Sequence, residues 1–391
     1  MSNSRSSVFQ DELDRAAEAY LRFIGDMRIS KTEFRFTPHS EATPFSLCFA
    51  LFGLHLLGDE KTLQCDTQTY ANALRDRLYK YYSQRKTGGD IKVDKPFLQL
   101  LAFTLSALSI MGCLRDNPLE EIVLPLLTRD VKTDLDRIGA LDGIAGSGNL
   151  AMFMAILLIH ARDYLGLDTN RLIEQWIGLH LDSMNRFGFW GESKSMTHLQ
   201  FQNGYHQYEI FDYLNVDNSM ASIAAESVAG LADDKGHFAP YPGGGGCYDY
   251  DAIFVLTSAG EMTVNHYRSL LERTMTTIIS EQNPNGGFAE SHYIRPRSLH
   301  NFAMGIRHAL AVNGKTRFER LRQVIVLQRP KHNRIHTHWS RYSREWSESD
   351  LWDSWFRMLT VARIEVALNP SAVDRWGFIN YPGIGYYRAN L

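Results

Sequence analysis

The sequence predicts an all-α protein, a single α/α toroid of about six or seven helical hairpins. Three observations lead there. Glycine-aromatic segments recur at a nearly constant interval, and glycine-terminated apolar stretches recur at another. Nowhere does the apolar/polar alternation of a half-buried strand persist.

The clearest repeat lies in the middle of the chain. Gly188-Phe189-Trp190-Gly191 precedes a polar loop and then Asn203-Gly204-Tyr205-His206-Gln207-Tyr208. Gly236-His237-Phe238 precedes a glycine-rich loop and Cys247-Tyr248-Asp249-Tyr250-Asp251. Gly286-Gly287-Phe288 precedes a loop and Leu299-His300-Asn301. Phe189, Phe238 and Phe288 are thus spaced by 49 and 50 residues. Amphipathic helical stretches come before each, over 170–184, 219–232 and 265–281. Apolar stretches also end in glycine at Gly58, Gly112 and Gly166, 54 residues apart each time, and at Gly260 and Gly314, again 54 apart. Glycine just past a helix end takes the left-handed conformation without a side-chain clash.

Each unit therefore reads as outer helix, long loop, inner helix, short turn. A helix of about 15 residues cannot bury its apolar face alone, so neighbouring units must stack. The inner helices are expected over 44–57, 97–111, 150–165, 205–214, 250–259, 300–312 and 351–367. They look apolar nearly all round, as helices buried on both sides do. Without a convincing linker, residues 1–391 form one expected domain. From about Arg375 to Leu391 the chain is expected to be loop-like.

The bulk composition fits a globular chain. Its 391 residues are 44% hydrophobic and 22% charged, with a net charge of −3. That balance favours neither nucleic acid nor an anionic membrane as partner. No apolar run is long enough to span a bilayer, and Met1 to Ser7 shows no signal region. Four scattered cysteines without a CxxC pair suit reduced thiols in the cytoplasm. Oligomeric state is not readable from the sequence.

Long loops on a rigid scaffold commonly carry function. Here they deliver polar and aromatic residues to one mouth of the expected ring. The phosphate-binding, GxSxG and HExxH motifs are absent; Gly243 to Gly246 lacks a preceding strand and a following Lys-Ser/Thr.

At these residues the chain resembles the terpenoid-cyclase and protein-prenyltransferase superfamily. Gln282-Asn283-Pro284-Asn285-Gly286-Gly287-Phe288 is similar to its Q…GGF repeat, over roughly residues 170 to 312. Asp249-Tyr250-Asp251-Ala252 resembles the DxDD motif of protonation-initiated cyclases, with Ala252 in place of the last aspartate. The resemblance implies an isomerase or lyase in which Asp251 is the acid and Asp249 its partner. Such chemistry needs a protonated carboxyl in an apolar site, with aromatic faces to stabilise a developing cation. His206 and Tyr205 complete the expected catalytic set. Asn203, Tyr208, Tyr248, His300, Asn301, Trp339, Trp352 and Asp353 are the expected substrate contacts.

Other readings stay open. Asp249 and Asp251 could simply cap their helix. Gly246-Cys247-Tyr248 and His300 are similar to part of the prenyltransferase zinc site, but Gly245 stands where that family has an aspartate. No cofactor or metal is therefore expected. The residues Asn203, Tyr205, His206 and Tyr208, with the tryptophans, would also suit a carbohydrate lyase or hydrolase, in which Trp faces stack on sugar rings. The substrate is then a small molecule or a glycan. A non-catalytic ligand-binding toroid is the third reading.

Overall fold

The computed structural model describes residues 2–85, 90–192, 194–295 and 298–388, with the backbone alone for residues 2–9, 60 and 65. The described chain is mostly helical. Its contacts divide it into two compact units, interleaved in sequence: Met1–Asp59 with Ala229–Gly377, and Glu60–Val228 with Phe378–Leu391.

The first unit begins with α1 (Ser2–Met27) and α2 (Pro44–Leu56). The second contains α3 (Glu60–Cys65), α4 (Thr67–Arg85), α5 (Lys95–Ile110), α6 (Glu120–Val123), α7 (Val131–Ile138), α8 (Ser147–Leu165), α9 (Asn170–Asp182), α10 (His198–Leu214) and nearly all of α11 (Ala221–Ala229). The chain then returns to the first unit with α12 (Gly246–Ser258), α13 (Glu261–His266), α14 (Arg268–Ser280), α15 (Leu299–Leu310), α16 (Gly314–Leu327) and α17 (Leu351–Leu368). Two short strands, β1 (Phe288–Ala289) and β2 (Ser349–Asp350), pair antiparallel with Phe288 opposite Asp350.

A helix is present at each of the seven expected stretches, as α2, α5, α8, α10, α12, α15 and α17. Local chemistry sets their ends. Thr43 and Ser46 form a reciprocal capping box at the start of α2. Asp94, Thr197, Ser298 and Asp350 cap α5, α10, α15 and α17 through side-chain oxygens. Gly58, Gly112 and Gly166 follow the ends of α2, α5 and α8 with φ of 68–69°, whereas Gly314, expected to end a helix, instead opens α16 with φ 61°.

Two expectations need correction. The helix expected over 205–214 starts at His198, because Thr197 caps it there, so Asn203, Tyr205, His206 and Tyr208 stand inside a helix rather than at a loop end. The helix expected over 300–312 is not buried all round. In α15 only Asn301, Gly305, His308 and Ala309 are buried, whereas α17 is buried from Leu351 through Val366. Among the described residues after Arg375 there is no helix, as expected. In the second unit it anchors through the Tyr381 hydroxyl, 3.1 Å from His160 Nδ1.

The core of the first unit is unusually aromatic. Phe49 lies 5.0 Å from Trp352 and 5.8 Å from Trp339, and Trp352 lies 4.2 Å from Trp339 and 4.3 Å from Phe356 by ring centroids. Phe36 joins them 5.9 Å from Trp339. The offset and tilted geometries are those in which ring quadrupoles attract. No helix among the described residues is long and apolar enough to cross a membrane.

Candidate active site

Two arginines organise the first unit: Arg357 in α17, and Arg344 in the segment before β2, where its backbone bridges Ile335. Arg357 lies mid-helix in α17, in a face otherwise committed to the core. A guanidinium there must find anions, since a buried charge without a partner is far too costly. Its Nη1 donates to Asp249 Oδ2 at 2.6 Å, and its Nη2 to the carbonyls of Gly243 (2.9 Å) and Glu290 (3.2 Å). Asp249 also accepts the Phe238 N–H at Oδ1 (2.9 Å) and lies 2.8 Å from His237 Nδ1. On its other side, His237 Nε2 is 3.2 Å from Glu281 Oε1.

This first group is balanced in charge. Burial opposes charging His237, but the Asp249 charge and hydrogen bond and the Glu281 bond raise it to about 9. Burial likewise pushes Glu281 up, yet the His237 bond and charge and then Arg357 bring it down to about 2. Two cations thus face two carboxylates. Asp249 does not cap α12: the residue before that helix is Gly245, and no side-chain cap is made there.

The second group is unbalanced. Arg344 Nη2 donates to Asp353 Oδ2 at 2.8 Å and to Glu290 Oε2 at 3.3 Å, and its Nε is in ion-pair contact with Asp350. Arg344 and both aspartates are almost fully buried, and Glu290 nearly so. One guanidinium cannot neutralise three buried carboxylates. Burial and the Asp353 charge raise Glu290 to about 7 against the pull of Arg344, Tyr241 and Arg357. Burial pushes Asp350 well up, with Asp353 adding to it against Arg344. The Tyr241 hydroxyl donates a short hydrogen bond to Glu290 Oε1. Asp353 Oδ1 has no hydrogen-bond partner.

The glycine run joins the two groups. Gly244 has φ +89°, and a Cβ there would sit 2.6 Å from both Asp249 Oδ2 and His237 Nδ1. Gly245 has φ +113°, and its Cβ would sit 2.7 Å from Glu290 Oε1 and the Tyr241 hydroxyl. Both positions therefore demand glycine twice over, by conformation and by space. The loop that lacks a phosphate-binding context instead wraps buried carboxyl groups.

Cys247 follows at once. Part of the residue reaches solvent, but its thiol is enclosed. Burial, then the charges of Asp251, Glu290, Asp353 and Asp249, push that thiol well above its ordinary value. Asp251 is itself buried and also raises Tyr248, so Asp251, Cys247, Tyr248 and Glu290 share one electrostatic neighbourhood. Arg344 sits 5.6 Å over the Phe36 ring, which ties this neighbourhood to the aromatic cluster containing Trp339 and Trp352.

The expected site residues are shared between the two units. Asp249, Asp251, Tyr248, Trp339, Trp352 and Asp353 belong to the first unit and gather around the arginines and aromatics. Asn301 is in the same unit, but its side chain accepts the Arg295 N–H at 3.3 Å and shapes its own loop. His300 is exposed at the start of α15. Among the described residues, no three or more His, Cys, Asp or Glu side chains are grouped to hold a metal, so Cys247 and His300 are not part of such a group.

The remaining four lie in α10 of the second unit. Asn203 Oδ1 accepts the Gly148 N–H at 2.9 Å, and the Tyr208 hydroxyl donates to the Gly188 carbonyl at 2.6 Å. Both are thereby committed to holding α8 and the 188–191 turn. His206 is different. It is buried, neither ring nitrogen has a hydrogen-bond partner, and burial followed by the Lys95 charge drives it well below the ordinary histidine value. Its ring lies 4.2 Å from that of Tyr205.

Arg344, Arg357, Glu290, Tyr241 and Glu281 are not legible as site residues from motifs. One signal was available: an arginine in the middle of a long, mostly apolar helix requires a buried anion. Comparison with protein-family models, curated proteins and solved structures finds no match to this chain.

Proposed function

We propose that the chain is an acid/base enzyme of the protonation-initiated, terpene-cyclase-like kind, an isomerase or lyase. Its hairpins close into a toroid, and Asp251 is its acid. The observation that carries this reading is the buried excess of carboxyl groups. Arg344 makes the ion pairs with Glu290, Asp350 and Asp353, Arg357 adds only a longer-range pull, and Glu290 is held at about 7. Such a group stores a proton near neutral pH in a site closed to water, which is what a Brønsted acid requires.

The roles divide as follows. Asp249, gripped by Arg357 and His237, fixes the first turn of α12 and with it the position of Asp251. The Arg344 group returns the proton that Asp251 delivers. Phe36, Phe49, Trp339, Trp352 and Phe356 supply ring faces to a developing cation, each worth on the order of 0.5–2 kcal/mol. An apolar, polyprenyl-like substrate matches such walls.

A second reading rests on His206. A buried neutral imidazole with both nitrogens unengaged suits a proton-abstracting base, as a carbohydrate lyase would need.

The test compares Asp251→Asn with His206→Gln, after a thermal-shift screen of polyprenyl diphosphates against uronate oligosaccharides identifies a ligand. Asparagine keeps the size of Asp251 and removes its transferable proton. Turnover in Asp251→Asn is expected to fall by about 10²–10⁴-fold with the fold retained. Full turnover there, with loss in His206→Gln, would reverse the ranking of the two readings.

A further inference from the structure

We infer that the α15–α16 hairpin of the first unit is a docking surface for an anionic lipid bilayer. The inference does not depend on the reaction proposed above.

Two independent features coincide on this hairpin. The first is apolar exposure. Leu299 is 90% exposed, Phe318 71%, Ile325 61%, Leu310 59% and Phe302 47%. These are five of the thirteen large apolar side chains exposed among the described residues, and all fall within one hairpin. Scattered exposed apolar residues need no explanation, but a concentration of them does.

The stripe is geometrically coherent. At about 100° per residue, Leu299, Phe302, Ala303, Ile306 and Leu310 span an arc of about 100° on α15. Asn301, Gly305, His308 and Ala309, which face the protein, fill the adjoining arc, centred about 120° away by the same arithmetic. On α16, Lys315, Phe318, Arg322, Ile325 and the following Arg329 span about 80° by the same arithmetic. Arg320, Val324 and Leu327 are the buried side. The two buried sides meet where a Cβ on Gly305 would come within 2.6 Å of Val324, so the exposed stripes are not turned toward each other.

The second feature is charge. Residues 295–331 contain nine Lys and Arg, of which Arg320 is buried, and a single acid, Glu319, in a chain whose net charge is −3. Aliphatic and phenyl side chains interleaved with arginines on one helix face are the composition of an interfacial helix. The cations meet lipid phosphates while the apolar side chains enter the acyl boundary. A second copy of this chain is the poorer occupant, because a two-fold contact would set this basic face against itself. A nucleic acid would leave Leu299, Leu310 and Ile325 unused.

The experiment is co-sedimentation of the full chain with phosphatidylcholine vesicles, with and without a phosphatidylglycerol fraction, across ionic strength. Binding is expected to the anionic vesicles, at least about tenfold tighter than to neutral ones and weakening with salt. Arg322→Gln with Arg329→Gln should weaken it by roughly 25-fold, at about fivefold per cation lost. Phe318→Ser with Ile325→Ser should weaken binding to anionic vesicles at every salt concentration. Both pairs are exposed, so unchanged thermal melts will show that the fold is retained. No binding at low salt, or equal binding to neutral vesicles, overturns the inference. So does a dimer in light scattering that Phe318→Ser with Ile325→Ser splits while vesicles remain unbound.

Discussion

Replacing Glu290 by glutamine tests the stored proton directly, without a substrate. Glutamine keeps the shape of the side chain and can still accept the Tyr241 hydroxyl, but it does not titrate. In the folded protein Glu290 is raised from 4.5 to about 7. A carboxyl raised by folding stabilises the protein fully below its unfolded value. That contribution is lost as pH rises through the folded value. At roughly 1.4 kcal/mol per pH unit, the loss between 4.5 and about 7 amounts to about 3 kcal/mol. The wild type should therefore lose about 3 kcal/mol more than Glu290→Gln across that window. The assay is urea denaturation followed by circular dichroism at a series of pH values from about 4.5 to about 8. Taking the difference between the two proteins cancels His237, whose own contribution is lost between 6.5 and about 9. Parallel stability curves across the window would refute the reasoning, because Glu290 would then not be the group holding the proton.

Arg357→Leu removes the guanidinium from Asp249 and from two carbonyls while leaving the carboxylate buried. The expected cost is about 3–5 kcal/mol in urea denaturation, and a loss under about 1 kcal/mol would contradict the ion-pair geometry. Gly148→Ala would place a Cβ 1.6 Å from the Asn203 carbonyl oxygen, forcing α8 from α10. A loss of about 3 kcal/mol is expected, against a gain of about 0.5–1 kcal/mol for Gly25→Ala, and equal melting temperatures for the two variants would sink the close approach. Nothing lies within 4 Å of a Cβ at Gly25 in α1.

Much of the local structure was legible because its causes are local. Periodicity and capping residues identify the helices, and the 54-residue spacing of Gly58, Gly112 and Gly166 marks helix ends that do take positive φ. The site was legible only in part. Asp249, Asp251 and Asp353 stand out as acids at helix starts, and Trp339 and Trp352 as aromatics among polar neighbours. Asn203 and Tyr208 looked equally chemical, yet their polar groups close contacts to Gly148 and Gly188. Composition also averages over local features: a net −3 contains the basic segment over 295–331.

By itself, then, the sequence determined the helical class, the approximate helix bounds and the glycine-rich turn before α12. Each depends on neighbours within a few residues: backbone donors and acceptors, side-chain branching and the freedom of glycine. The tertiary structure decided which acids are neutralised and which hold a proton. Arg357 meets Asp249 across 108 positions of chain, and Arg344 meets Glu290 across 54. Ionisation in a buried site follows from the count of opposite charges within a few ångströms and from the loss of water. Neither quantity exists until distant segments are packed together.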